Sequence, residues 1–147
     1  MLDHDCHPSF GELIDAAPNR LQVPATLLRA LSVAERHCQF DQRQSPRIPL
    51  MLKGAADVSS TLPAFPRGDI RGRVIVCDAS LRGMRFLFDQ QLWPGERVRL
   101  LLPESQFTGE VARARRLQPH CYEIGVRLDA ALSQNLIRQF LSQQRLP

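Results

Sequence analysis

The sequence predicts a mainly β fold: an antiparallel sandwich or barrel with a helix after it and a helical extension before it. Three observations carry this. From Ile70 to Leu128, apolar and polar residues alternate with period two in short runs. Turn signals such as Pro94-Gly95 separate the runs. After Asp129 the apolar spacing changes to that of a helix. Closure into a barrel would also leave no exposed strand edge.

The elements follow in order. Residues 1–20 hold a short apolar set, Phe10, Leu13 and Ile14, between Pro8, Gly11 and Pro18. They suit one or two helical turns. Pro24 stands where a first helical residue would. Leu27, Leu28, Leu31, Val33 and Ala34 follow, with Arg29, Glu35 and Arg36 between them, which predicts an amphipathic helix over 24–38. Its apolar stripe must bury against the β body or against a second chain, which would make a homodimer. Residues 39–47 are polar, and Pro46 disfavours helix at Ser45, so they predict an exposed, mobile arm.

Ile48 to Leu52 reads as the first strand. Residues 54–69, with Gly54, Pro63, Pro66 and Gly68, are the most loop-like stretch of the body, or extend the first strand before it turns, with the break left open. Ile70, Val74 and Val76 then share one strand face, with Arg71 and Arg73 on the other. Met84, Phe86 and Phe88 alternate with Arg85 and Leu87. Val98, Leu100 and Leu102 alternate with Arg97 and Arg99. Phe107 to Arg115 is a further strand. Tyr122, Ile124, Val126 and Leu128 form the cleanest period-two run. Asp129 is placed to cap a final helix, whose face is Leu132, Leu136, Ile137, Phe140 and Leu141. The chain thus divides into a helical extension over 1–38, an arm over 39–47 and a β body with its C-terminal helix over 48–147.

At 147 residues the chain is one domain with room for an extra element. No apolar run is long enough for a transmembrane helix. Met1-Leu2-Asp3-His4-Asp5 is acidic and unlike a signal peptide, so a cytoplasmic protein is expected. The four cysteines, Cys6, Cys38, Cys77 and Cys121, are widely spaced and read as free thiols. His4, Cys6 and His7, with the neighbours His37-Cys38 and His120-Cys121, match no zinc spacing, and no metal is expected. Charge is uneven. Residues 1–41 carry three arginines against six carboxylates, a net of −3, which leaves +7 of the total +4 on the remainder. A basic body suits a phosphate-bearing ligand.

Two motifs stand out. Asp78-Ala79-Ser80-Leu81-Arg82-Gly83 has the form D-x-S-x-x-G at the corner between two predicted strands. Arg43 and Arg47 form R-x-x-x-R on the polar arm. A carboxylate, a hydroxyl, a glycine and two guanidiniums suit something planar, anionic and rich in hydrogen-bonding edges. Each also has a plainer use. The arginines can be solvated surface charges. Asp78 and Ser80 can hold a turn, and Gly83 can supply a positive φ.

The two motifs, in this order and at this distance, resemble the PilZ domain family, bacterial receptors for cyclic di-GMP. The resemblance extends to Leu92-Trp93-Pro94-Gly95-Glu96-Arg97-Val98, to Gly109-Glu110-Val111-Ala112-Arg113 and to Tyr122-Glu123-Ile124-Gly125-Val126-Arg127-Leu128. It covers about residues 40–145 and implies a six-stranded antiparallel β-barrel with a C-terminal helix. It also implies binding of cyclic di-GMP through Arg43, Arg47, Asp78, Ser80 and Gly83, with residues 39–47 as the ligand-binding arm. Arg82 is a further phosphate candidate, while Arg85 is expected to be solvated. Gln42 stands where many members carry another basic residue, which leaves open whether one dinucleotide or a stacked pair binds. Arginine matches guanine O6 and N7, and a carboxylate accepts from N1–H and N2–H. No cofactor is implied beyond this ligand. An effector protein is the implied partner.

Catalysis is not expected. No Ser/His/Asp arrangement is indicated, and no glycine-rich loop leads from a strand into a helix. Two other functions compete. One is a PilZ-like adaptor that binds protein and no nucleotide, though such members usually lack these motifs. The other is a basic nucleic-acid-binding barrel, which the single Trp and single Tyr disfavour.

Overall fold

Alternation of apolar side chains builds six strands, and pairing of the first with the fourth closes them. The computed structural model describes residues 18–27, 47–59, 68 and 70–143. The strands are β1 (Ile48–Ser59), β2 (Ile70–Ser80), β3 (Gly83–Phe88), β4 (Arg97–Leu102), β5 (Ser105–Gln118) and β6 (Cys121–Leu128). Their order around the closed barrel is β1-β2-β3-β6-β5-β4, and every pairing is antiparallel. One helix, α1 (Gln134–Gln143), follows. The expected six-stranded barrel with a C-terminal helix is the architecture found.

The interior is filled by inward residues from all six strands, among them Val58, Val76, Phe86, Leu100, Val111 and Ile124. Phe86 and Phe88 meet edge to face, with centroids 6.3 Å apart. That is a favoured aromatic geometry. Ile137 and Phe140 of α1 join this core, so the helix covers one part of the barrel.

One boundary that the sequence left open is placed here, and one differs from expectation. β1 extends into the loop-like stretch as far as Ser59. Gly54, Ala55 and Ala56 look loop-forming, but small residues are what this crowded position admits. A Cβ on Gly54 would stand 2.5 Å from the Leu101 carbonyl oxygen, and Ala55 and Ala56 are wholly buried. Residues 60–67 lie outside the described residues. The helix cap is Ser133 rather than Asp129. Ser133 Oγ accepts from the Leu136 N–H at 3.2 Å. Asp129 instead pairs with Arg97, and its carboxyl is held below the usual range by that guanidinium. Leu141, placed on the apolar face by its spacing, is exposed.

A second apolar cluster lies outside the barrel wall. Cys77, Leu87 and Cys121 are buried there beneath Leu21, Val23, Leu27 and Leu117. The segment 18–27 is tied down by backbone bonds: the Arg73 N–H donates to Pro18 O, and the Gln22 N–H donates to His120 O. Residues 25–27 are helical, and Leu27 of the predicted stripe lies on the barrel. The rest of that helix, the 10–14 set and residues 39–46 of the arm lie outside the described residues. So do Cys6 and Cys38. Burial pushes the Cys77 thiol up to about 12 and raises that of Cys121 as well, so both are poor nucleophiles at neutral pH. No helix among the described residues is long and apolar enough to cross a membrane.

Candidate functional site

The D-x-S-x-x-G corner is the hairpin between β2 and β3. Ser80 pairs with Gly83, and Leu81-Arg82 form the turn. The hairpin is pinned from outside: the Leu128 N–H donates to Arg82 O, and the Leu132 N–H donates to Leu81 O, both at 2.8 Å. Gly83 does not supply a positive φ; among the described glycines that conformation falls to Gly95, at 96°. What Gly83 supplies is room. A Cβ there would stand 3.3 Å from both Ser80 Oγ and Val126 O. Backbone is therefore accessible beside the serine hydroxyl.

Strand register builds the site as two lateral rows on the outer face. One row runs Ser80, Gly83, Arg127, Glu110 across β2, β3, β6 and β5. The next runs Asp78, Arg85, Gly125, Arg113 across the same strands. Apart from Glu110, the two rows line an open cleft of about 280 Å³, which Arg47, just before β1, also lines. That is slightly below the usual small-molecule pocket, so the feature is a shelf rather than a cavity.

The structure thus brings together Arg47, Asp78, Ser80, Arg82 and Gly83 of the predicted site. Arg43 and Gln42 lie outside the described residues. Five arginines line the cleft, namely Arg47, Arg82, Arg85, Arg113 and Arg127, with Asp78 as the carboxylate among them. Sequence reasoning singled out neither Arg113 nor Arg127. Both stand beside the motifs only through the β5–β6 register, which no local pattern announces.

Asp78 is nearly buried. Desolvation raises its pKa, and the charge and hydrogen bond of Arg85 oppose this without cancelling it. The Arg85–Asp78 contact is 2.7 Å, and Arg85 also reaches Glu123 at 3.3 Å. The expectation that Arg85 is solvated is therefore corrected. Its place opposite Asp78 across the β2–β3 pairing puts it between two carboxylates. The pair holds the Asp78 carboxylate in one orientation at the edge of the cleft.

A larger groove of about 760 Å³ lies elsewhere on the wall, lined by Asp57, Arg71, Arg97 and Arg99 among others. Its guanidiniums are already engaged. Arg71 and Arg99 both bind Asp57, and Arg97 binds Asp129. Desolvation pushes the Asp57 carboxyl up, but the hydrogen bonds and charges of Arg71 and Arg99 together outweigh it and hold the group below the usual range. Every arginine named in the groove is thus bound to an aspartate, whereas the cleft gathers five arginines around Asp78.

Comparison with known proteins adds a family. No curated protein matches the chain. Among solved structures, the Bacillus subtilis inhibitor of motility, MotI/DgrA, is similar at 18% identity, with a TM-score of 0.47. The match covers 71% of this chain and 52% of that one, so the chain spans about half of that protein. The family model described as PilZ domain matches residues 41–143, most of the chain and all six strands, and the chain therefore belongs to the PilZ domain family.

Proposed function

We propose that this protein is a bacterial receptor for cyclic di-GMP that passes the signal to a protein partner. One observation carries the reading. Arg47 lines one positively charged cleft together with Asp78, Ser80 and Gly83, which follow about thirty residues later in the sequence. Cyclic di-GMP carries two phosphate charges and two guanines. Arg47, joined by Arg43 from the arm, matches guanine O6 and N7 or stacks on the base. Asp78, oriented by Arg85, accepts from guanine N1–H and N2–H. Ser80 and the open backbone at Gly83 meet the sugar–phosphate ring. Arg82 adds a cation at the turn.

The partner reads a surface rather than a reaction. Family membership supports a binding role, and the cleft offers charge and hydrogen-bonding edges to a ligand. The segment 18–27 packs on Cys77, the residue next to Asp78. Ligand binding beside Cys77 changes how that segment sits on the barrel, and the altered N-terminal face is the surface offered to the effector.

The test is thermal and chemical unfolding with and without ligand. Cyclic di-GMP at about 100 times its dissociation constant is expected to add about 2.7 kcal/mol of stability. A random-sequence oligonucleotide run in parallel is expected to add none. An unmoved transition with saturating cyclic di-GMP contradicts the reading. Stabilisation by the oligonucleotide alone favours a nucleic-acid-binding barrel.

A further inference from the structure

Two irregularities in the barrel wall face each other across the cleft. β2 carries an extra residue at Cys77 against β3, and β5 carries one at Ala112 against β6. Unbroken alternation from the inward Val76 and Val111 would turn Asp78 and Arg113 into the core. The bulges reverse this, so both side chains emerge on the outer face, at opposite ends of one row. Bulges commonly re-aim a side chain next to a functional site.

Between them stands Gly125. Arg113 pairs with it directly, and the arginine side chain lies across the gap that the missing side chain leaves. A Cβ at Gly125 would stand 3.1 Å from Arg113 Cγ and 3.2 Å from Nε. The stem is therefore laid over β6 toward Arg85 and Asp78, and its charge is felt at Asp78. The other cations of these rows are taken up. Arg85 is held by Asp78 and Glu123, and Arg127 has Glu110 at 3.5 Å. Arg113 is exposed and has no hydrogen bond or ion pair within the described residues.

We propose that Arg113, seated on Gly125, is a ligand-contacting residue of this cleft and binds a phosphodiester of the dinucleotide. The proposal rests on the cyclic di-GMP reading above. The phosphodiesters are the only charges that ligand brings, and Arg113 is an exposed cation at the site with no hydrogen bond or ion pair among the described residues. A phosphate accepts a point charge, so lysine can substitute, whereas a base edge or a stacked base requires the planar guanidinium.

The experiment is calorimetric titration of cyclic di-GMP into the wild type, Arg113→Ala, Arg113→Lys, Gly125→Ala and Arg115→Ala, at low and high salt. Arg113→Ala is expected to weaken binding about tenfold at low salt and to lessen the salt dependence, as loss of a screened charge requires. Arg113→Lys is expected to stay within about threefold of the wild type. Gly125→Ala is expected to weaken binding in the same direction, by displacing the arginine. Arg115→Ala, which removes an exposed partner of Glu123 outside the cleft, is expected to bind as the wild type does. A wild type that binds with Arg113→Ala unchanged overturns the proposal and leaves the receptor reading standing. Equal losses in Arg113→Ala and Arg113→Lys overturn the phosphate assignment. Unchanged affinity in Gly125→Ala overturns the seat. A wild type that does not bind overturns the receptor reading and this proposal together.

Discussion

Arg47→Ala is expected to remove most cyclic di-GMP binding while leaving the unfolding midpoint of the free protein nearly unchanged. Arg47 precedes β1 by one residue and lines the cleft without belonging to the core. Its substitution opens no cavity among the apolar residues. A charge-assisted contact is worth about 1.5–3 kcal/mol. That corresponds to roughly tenfold to a hundredfold in affinity. Arg43→Ala is expected to behave alike, as the other half of the same motif. Arg47→Lys is expected to bind weakly too, because an ammonium neither stacks on a base nor grips two acceptors at once. Calorimetry gives the affinities and urea unfolding gives the stability. Near-normal affinity in Arg47→Ala would make the arginine pair surface decoration.

Arg85→Met has the opposite profile: it is expected to cost stability in the absence of any ligand. Asp78 is 8% exposed, and Arg85 is its ion-pair partner. Breaking a buried pair by removing one member costs about 3–5 kcal/mol. Arg85 is partly exposed, so about 2–3 kcal/mol is the expectation at neutral pH. The pH dependence follows from the sign of the Asp78 shift. Desolvation already raises its folded pKa above the unfolded value, and loss of Arg85 removes the main opposing influence. The folded variant therefore binds the proton more tightly than the unfolded chain does. Its stability falls as pH rises from the unfolded value through the raised folded value. The deficit relative to the wild type should thus be large at neutral pH and shrink on acidification. Asp78→Asn in the same background should abolish that trend. A deficit that stays constant or grows on acidification would mean that the Asp78–Arg85 pair is not what the substitution breaks.

These two arginines mark how far the sequence could be read. The strands were legible because Val98, Leu100 and Leu102, or Tyr122 to Leu128, keep strict period two. The motif corner was legible because Asp78 to Gly83 is local, and the hairpin forms where the apolar runs meet. The site's second half was not. Asp78 and Arg113 face outward only because bulges at Cys77 and Ala112 interrupt alternation, and a bulge leaves no clear signature in composition. The role of Arg85 was hidden for a related reason. An arginine alternating with Met84 and Phe86 reads as solvated until pairing sets it opposite a carboxylate. The missed cap has a similar origin: Asp129 and Ser133 are both good caps, and only the ion pair to Arg97 removes Asp129 from the contest. Glu96 is wholly buried, accepting from the Trp93 N–H at 2.7 Å, which no alternation rule would assign to a glutamate.

The central claim is that the cleft recognises guanine edges as well as phosphate. The two cyclic dinucleotides with guanine or adenine share ring and charge, so phosphate attraction cannot separate them. Adenine puts an amino donor where guanine has O6, facing an arginine donor. It also lacks the N1–H and N2–H groups assigned to Asp78. A good bidentate base contact is worth about 1–3 kcal/mol of discrimination. The direct measurement is competition on the wild type: labelled cyclic di-GMP displaced by unlabelled cyclic di-GMP or by cyclic di-AMP. Displacement by cyclic di-AMP is expected to need about ten to a hundred times the concentration. Equal displacement by the two dinucleotides, or no binding of the labelled ligand, would contradict the account.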